Sequence, residues 1–367
     1  MPVRNKSAWF QKYGIAFRSS ALVLAFSVAA LVSAGCKSAA PQINILETGS
    51  SLLYPLFNVW VPEYAKTHPN VRITTQSTGS GTGMSQAIAG IAQIGASDAY
   101  LGDTMMQAHP NMLNIPLAIS MQMVNYNLPG LNDQHIKLSG PVLAGIYDGS
   151  IHTWNDHAIA VLNPGVKLPA HAIIPIHRSD GSGDTFIFTQ YLAFSTASWA
   201  KKYNFGTTIS WAPVKGGLGA EGNPGMVTAS QDNPYSIAYI GSSYQAATDK
   251  AGLGIAMLQN HDGKFVLPTV DNATAAAAQM VSKTPASERV SLIFAPGPQS
   301  YPIINYEYAL VNQQQPSAAM ASALRDLFTW AISSTGGNAS QFLTPLHFVP
   351  LPQSVVSLSA AQIAKIQ

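Results

Sequence analysis

The chain has 367 residues, 47% of them hydrophobic, which is enough for a substantial core, suits two lobes better than one compact domain, and excludes a disordered chain. Only 10% of the residues are charged, so polarity is carried mostly by neutral hydrogen-bonding groups and backbone. The formal net charge of +2 is set by the N-terminus: Arg4, Lys6, Lys12 and Arg18 are four of the nineteen basic residues, and without them fifteen basic residues face seventeen acidic ones. A nucleic-acid partner therefore loses the support that a basic chain would give it.

Those four basic residues precede the apolar stretch 21–32 and then Ser33-Ala34-Gly35-Cys36. Basic region, short apolar region and small residues follow the order of an export signal, so residues 1–35 read as a signal peptide. The apolar run is too short for a good membrane span. Cys36 is the only cysteine, which excludes an intramolecular disulfide. Small residues ending in Cys resemble the bacterial lipobox, with Ser33 standing where Leu is usual. On that reading Cys36 becomes an acylated first residue, and residues 36–42, with Pro41, form a tether between lipid anchor and folded part.

From Ile43 onward short apolar runs alternate with helical patterns. The spacing predicts a strand over 43–46, a helix over 54–67, a strand over 71–76, a helix over 84–91 and a short buried strand over 94–96. Such alternation argues for an α/β sheet. An apolar run over 117–126 and a β-rich stretch over 301–311 read as two strands leaving and re-entering one lobe. The first lobe is then 43–120 with 301–367, completed by a helix over 320–332, and the second is 121–300.

Three loops of small residues each open a helical pattern. They are Thr48-Gly49-Ser50-Ser51-Leu52-Leu53-Tyr54-Pro55, Thr78-Gly79-Ser80-Gly81-Thr82-Gly83 and Arg178-Ser179-Asp180-Gly181-Ser182-Gly183-Asp184-Thr185. Free N–H groups at a helix N-terminus and the dipole behind them suit an anion, and glycine lets the backbone approach it closely. Each loop alone reads equally as a helix cap. Asp98, after the short strand 94–96, sits where open α/β sheets place ligands. Arg178 closes a strand over 173–177 and can offer a guanidinium fork to an oxyanion. Neither a Gly-x4-Gly-Lys-Ser/Thr run nor a Gly-x-Ser-x-Gly elbow occurs, and the nine scattered histidines form no metal-ligand spacing, so no metal and no cofactor are expected.

Together these loops resemble the periplasmic phosphate-binding proteins of the phosphate-specific transport (PstS) family, especially its lipobox-bearing members. The likeness extends to Ile94-Gly95-Ala96-Ser97-Asp98, Gly149-Ser150-Ile151-His152-Thr153-Trp154-Asn155-Asp156 and Leu162-Asn163-Pro164-Gly165. It implies an α/β, two-lobed periplasmic binding protein (Venus-flytrap, type II) with two crossover strands and phosphate buried between the lobes. The implied phosphate shell is the backbone of Leu52, Leu53 and Tyr54, with Ser80, Asp98, Arg178, Ser182, Gly183 and Asp184. Asp180 would hold Arg178, and Ser51 would stand behind the shell. The implied partners are the permease and ATPase subunits of an ABC-type importer, with the protein itself a monomer.

Two positions depart from the family pattern: Leu53 and Asp184 stand where many members have threonine. A second acceptor at 184 should favour the doubly protonated phosphate monoanion or raise a carboxylate pKa, so affinity is expected to hold or improve as pH falls from about 7 toward about 5. Three alternatives stay open. One is a secreted phosphatase or esterase with Ser80 or Ser182 as nucleophile. The others are a binding protein for sulfate, molybdate or phosphonate, and a surface protein acting in adhesion or signalling.

Overall fold

The computed structural model of the chain describes residues 41–367. The expected export signal, Cys36 and the tether up to residue 40 lie outside the described residues. Within them, strands β1 (Ile43–Gly49), β2 (Val71–Ser77), β3 (Ile94–Ser97), β4 (Met112–Tyr126), β5 (Lys137–Leu138) and β6 (Ile174–Arg178) are followed by β7 (Leu218–Ala220), β8 (Ser236–Gly241), β9 (Gly254–Ile255), β10 (Met257–Gln259), β11 (Phe265–Val266) and β12 (Ile304–Asn312). The larger sheet runs β2-β1-β3-β12-β4-β8-β6-β7, with β9 also pairing on β4, and a small sheet runs β11-β10-β5.

The larger sheet is parallel at both ends and antiparallel in the middle. β1 lies parallel to β2 and β3, and β6 parallel to β7 and β8. Parallel neighbours need crossover connections, which the helices between these strands supply. β12 is antiparallel to β3 and β4, and β4 is antiparallel to β8.

The long strand β4 belongs to both halves: residues 112–121 pair with β12 and residues 122–126 with β8. All 15 of its residues are buried, as expected of a central strand covered on both faces. The returning chain hydrogen-bonds to β4 at this change of partner. Gln122 N donates to Ile303 O over 3.1 Å, and Tyr301 Oη donates to Gln122 O over 2.7 Å. This is the two-lobed α/β architecture with two connecting strands that the sequence led us to expect.

Helix α1 (Tyr54–Ala65) has Pro55 in its first turn, where no N–H is needed, and buries Leu56, Phe57, Trp60 and Tyr64 along one face. It stops two residues short of the expected end, because Pro69 disfavours helix at His68. Helix α2 (Ser80–Ile88) begins a turn earlier than the expected 84–91. Its first turn, Ser80-Gly81-Thr82-Gly83, looks like loop by composition. Small size is needed there because α2 packs closely on β1 and β3: a Cβ at Gly83 would lie 2.7 Å from Ala96 O and 2.8 Å from Thr48 O.

Two stretches matched in the sequence shape the second half of the fold. Trp154 is fully buried and its indole N–H donates to Tyr235 O over 2.9 Å. Asn163 imitates a strand partner for Lys137, accepting from its N over 2.8 Å and donating to its O over 2.9 Å. Gly49 ends β1 with a φ of +141°, and a Cβ there would overlap the carbonyl oxygen of Ala96. Gly49→Ala should therefore cost about 3 kcal/mol, read as a lower urea midpoint at unchanged m-value.

Candidate binding site

The three loops follow the C-terminal ends of β1, β2 and β6 and meet one another there. Arg178, the last residue of β6, is only 3% exposed. Its Nε donates to Asp180 Oδ1 over 2.6 Å, its Nη2 to Asp180 Oδ2, and its Nη1 to Asp184 Oδ2 over 2.6 Å. Asp184 lies in the first turn of the helix Gly183–Ser195, whose N-cap Ser182 accepts through Oγ from Thr185 N over 3.2 Å. Sequence reasoning made Asp184 an acceptor toward the ligand. Here both its oxygens already have protein donors: Asn223 Nδ2 reaches Oδ2 over 2.8 Å and Gln122 Nε2 reaches Oδ1 over 3.1 Å.

Asp98 follows β3 directly and is buried. Ser50 Oγ donates to its Oδ1, and Ser80 Oγ to its Oδ2 over 3.3 Å. Ser50 Oγ also accepts from Leu52 N over 3.1 Å and Leu53 N over 3.0 Å, while Tyr54 N donates to Ser50 O over 3.1 Å. The backbone donors expected at the start of α1 are thus grouped by one serine. Ser51 faces elsewhere: its Oγ accepts from Asn223 N over 3.1 Å and from Asn223 Nδ2 over 2.9 Å, joining the first loop to the helix Gly222–Asp232.

The second and third loops meet glycine on glycine. Gly81 N donates to Gly181 O over 2.8 Å. A Cβ at Gly183 would lie 2.6 Å from Ser80 Oγ and would collide with Asp98 Oδ2. Only a residue without a side chain lets the third loop close on Asp98. Ser50, Gln122, Asn223 and Glu307 belong to the cluster and escaped sequence reasoning. Ser50 lay inside a recognised motif, whereas the other three sit in runs whose spacing signals only strand or helix.

Burial governs the electrostatics. Burial, then the charge of Asp98, raises the Asp184 pKa to about 7 against the pull of Arg178, Gln122 and Asn223. Asp98 is also raised by burial, an effect opposed by hydrogen bonds from Glu307, Ser50 and Ser80 and by the Arg178 charge. Asp180 carries a burial penalty too, yet the hydrogen bonds and charge of Arg178 hold it below its ordinary value. Burial would loosen the proton of Arg178, but Asp180 and Asp184 more than offset this and fix it as a cation.

A carboxyl whose pKa is higher in the folded state favours folding at acid pH. The contribution of Asp184 is complete below its unfolded value, near pH 4, and is lost as pH rises through about 7. Glu288, raised by burial to about 8, acts in the same direction. In phosphate-free buffer the urea midpoint should therefore fall between about pH 5 and about pH 8, and Asp184→Asn should reduce that fall.

A model of the PBP superfamily domain matches residues 36–335. Phosphate-binding protein PstS of Methanocaldococcus jannaschii is 35% identical over 345 residues, covering 88% of this chain and 87% of the relative. Phosphate-binding protein PstS of Pasteurella multocida is 35% identical over 319 residues, covering 87% and 89%. Among solved structures, a high-affinity periplasmic phosphate-binding protein (PfluDING) bound with phosphate superposes with a TM-score of 0.67 at 22% identity, covering 88% of this chain and 93% of that one. With the converging loops, these likenesses show that the chain belongs to the PBP superfamily and, within it, to the family of the PstS phosphate-binding proteins.

Proposed function

We propose that the chain captures inorganic phosphate between two lobes, 43–120 with 301–367 and 121–300, and delivers it to the permease and ATPase subunits of an ABC-type importer. Export would follow removal of residues 1–35, with a lipid on Cys36 holding the protein at a membrane surface. The observation that carries this reading is a buried carboxylate, Asp98, set among helix N-termini and beside the Arg178 cluster. The PstS names of its relatives support phosphate as the ligand.

The chemistry follows from the proton that phosphate keeps near neutral pH. Asp98 accepts a hydrogen bond from that proton, while Arg178, the hydroxyls of Ser80 and Ser182, and main-chain N–H groups of Leu52, Leu53, Tyr54, Gly183 and Asp184 meet the other oxygens. Sulfate has no proton to give, so its charge would face Asp98 unpaired, at a cost of several kcal/mol. Selection thus rests on repulsion of the wrong anion. Ser50 Oγ engages the Leu52 and Leu53 amides in this structure, so ligand entry exchanges those hydrogen bonds for bonds to phosphate oxygen.

Calorimetric titration of the leaderless protein, freed of carried-over ligand by partial unfolding, should give one-to-one phosphate binding that excess sulfate does not displace. Asp98→Asn should weaken phosphate by about 3 kcal/mol, roughly a hundredfold, and should strengthen sulfate, whose repulsion it removes. Absence of phosphate binding, or an equal response to sulfate, overturns the reading. For the anchor, Cys36→Ser should shift the exported protein from the membrane fraction to the soluble fraction, as immunoblotting of fractionated cells would read.

A further inference from the structure

Glu307 lies in β12, one of the two connecting strands, and is fully buried. β12 pairs with β3 through Tyr308 opposite Ser97 and Ala309 opposite Ala96. Continuing that antiparallel register by one step sets Glu307 opposite Asp98, so the two side chains share a face of the sheet. The pairing of β12 with β4 shifts at this point, Glu307 standing opposite Ala118 and Tyr308 opposite Pro116, so the extra residue, Leu117, lies on β4 and β12 keeps its regular alternation. Asn305 Nδ2 fixes the Asp98 carbonyl from the same strand.

Glu307 Oε1 accepts from Ser120 Oγ over 2.6 Å, and Oε2 has no hydroxyl, amide or cation partner among the described residues. The register sets the carboxyl of Glu307 beside that of Asp98, close enough for each to perturb the other's ionisation. Two carboxylates cannot bond to each other unless one carries a proton. The remaining charged groups around the pair are Asp184, on the helix Gly183–Ser195, and Arg178, at the end of β6. Asp184 discourages ionisation of Glu307, while Arg178 favours the ionised form of Asp98.

We propose that Glu307 is a positioning residue for Asp98: it keeps a proton, donates it in a hydrogen bond to Asp98 from behind, and so holds Asp98 as an acceptor toward the ligand. This rests on the phosphate-binding reading above. Burial, then the neighbouring charge of Asp98, raises the pKa of Glu307 well above its ordinary value, and the bond from Glu307 lowers that of Asp98. Asp98 therefore remains ionised at pH values where an isolated buried aspartate would take up a proton and become a donor. At alkaline pH the shared proton is lost, and two adjacent carboxylates then oppose the phosphate dianion.

The test compares wild type, Glu307→Gln and Glu307→Leu by phosphate calorimetry across pH, with sulfate as competitor. Glutamine donates to Asp98 without titrating, so E307Q should bind phosphate at neutral pH within about threefold of wild type and lose the alkaline decline that exceeds phosphate's own ionisation. E307L removes the donor, so phosphate affinity should fall about tenfold at neutral pH, and sulfate should begin to compete near pH 5. Wild-type affinity, pH profile and sulfate rejection in E307L would overturn the proposal.

A second readout does not depend on ligand or on the leucine variant folding. The infrared band of a protonated carboxyl should be present in wild type at neutral pH and reduced in E307Q, and an unchanged band overturns the shared proton. If wild type binds no phosphate, the transport reading fails, while the infrared comparison still decides whether Glu307 holds the proton.

Discussion

The site depends on one buried cation. Arg178 is withdrawn from water at the end of β6, and a guanidinium there survives only if carboxylates and acceptors surround it. Asp180 grips it in a fork from two residues along the chain, which fixes the plane of the guanidinium. Asp184 takes the remaining Nη1, and it is held in turn by Gln122 on β4 and Asn223 at the start of another helix. Because Asn223 also grips Ser51 and accepts from Gly241 N over 2.8 Å, the orientation of one arginine draws in four separate stretches of chain. Networks of this kind are costly when broken and rigid when complete.

Rigidity of that sort must hold across both halves of the larger sheet. The geometry resolves this by sharing a strand: β4 passes its hydrogen bonds from β12 to β8 at Met121 and Gln122, so both halves use one continuous backbone. Ser120, on one side of the change, supports Glu307, and Gln122, on the other, supports Asp184. The connecting strand therefore carries the site's inner supports as well as the chain. Between the halves Gly81 meets Gly181 backbone to backbone, Gly183 leaves room for the Asp98 side chain, and Ser51 Oγ accepts from Asn223.

The sequence revealed the parts of this design that local rules govern. Apolar periodicity located β1, α1, β2 and β3 to within a few residues, and glycine-serine loops marked the helix starts. Departures occurred where tertiary contact overrode composition. The first turn of α2 is helical because Gly83 must lie against Ala96 and Thr48, a demand that no window of α2 contains. Asp98, Arg178 and Asp180 stood out as charged residues beside small-residue loops. Gln122, Asn223 and Glu307 did not, because each reaches the cluster from a distant element and is marked only by register: Glu307 becomes visible once Tyr308 is known to face Ser97.

The charge count explains why protons matter here. Four buried or half-buried carboxyls, Asp98, Asp180, Asp184 and Glu307, share the cluster with a single arginine, which pairs with Asp180 and Asp184. Fully ionised, they would outweigh the cation and repel an approaching anion. Helix N-termini and hydroxyls soften that field but cannot cancel it, since each helix end is worth only about half a charge. The site can accept an anion only if some carboxyls keep their protons, and burial supplies the means by raising Asp184, Asp98 and Glu307. A ligand that brings its own proton adds to this shared store, whereas an aprotic dianion leaves the excess acceptors facing it. On the proposed reading, discrimination is thus a property of the proton inventory of the whole cluster, with Asp98 as the member that would present it to the ligand.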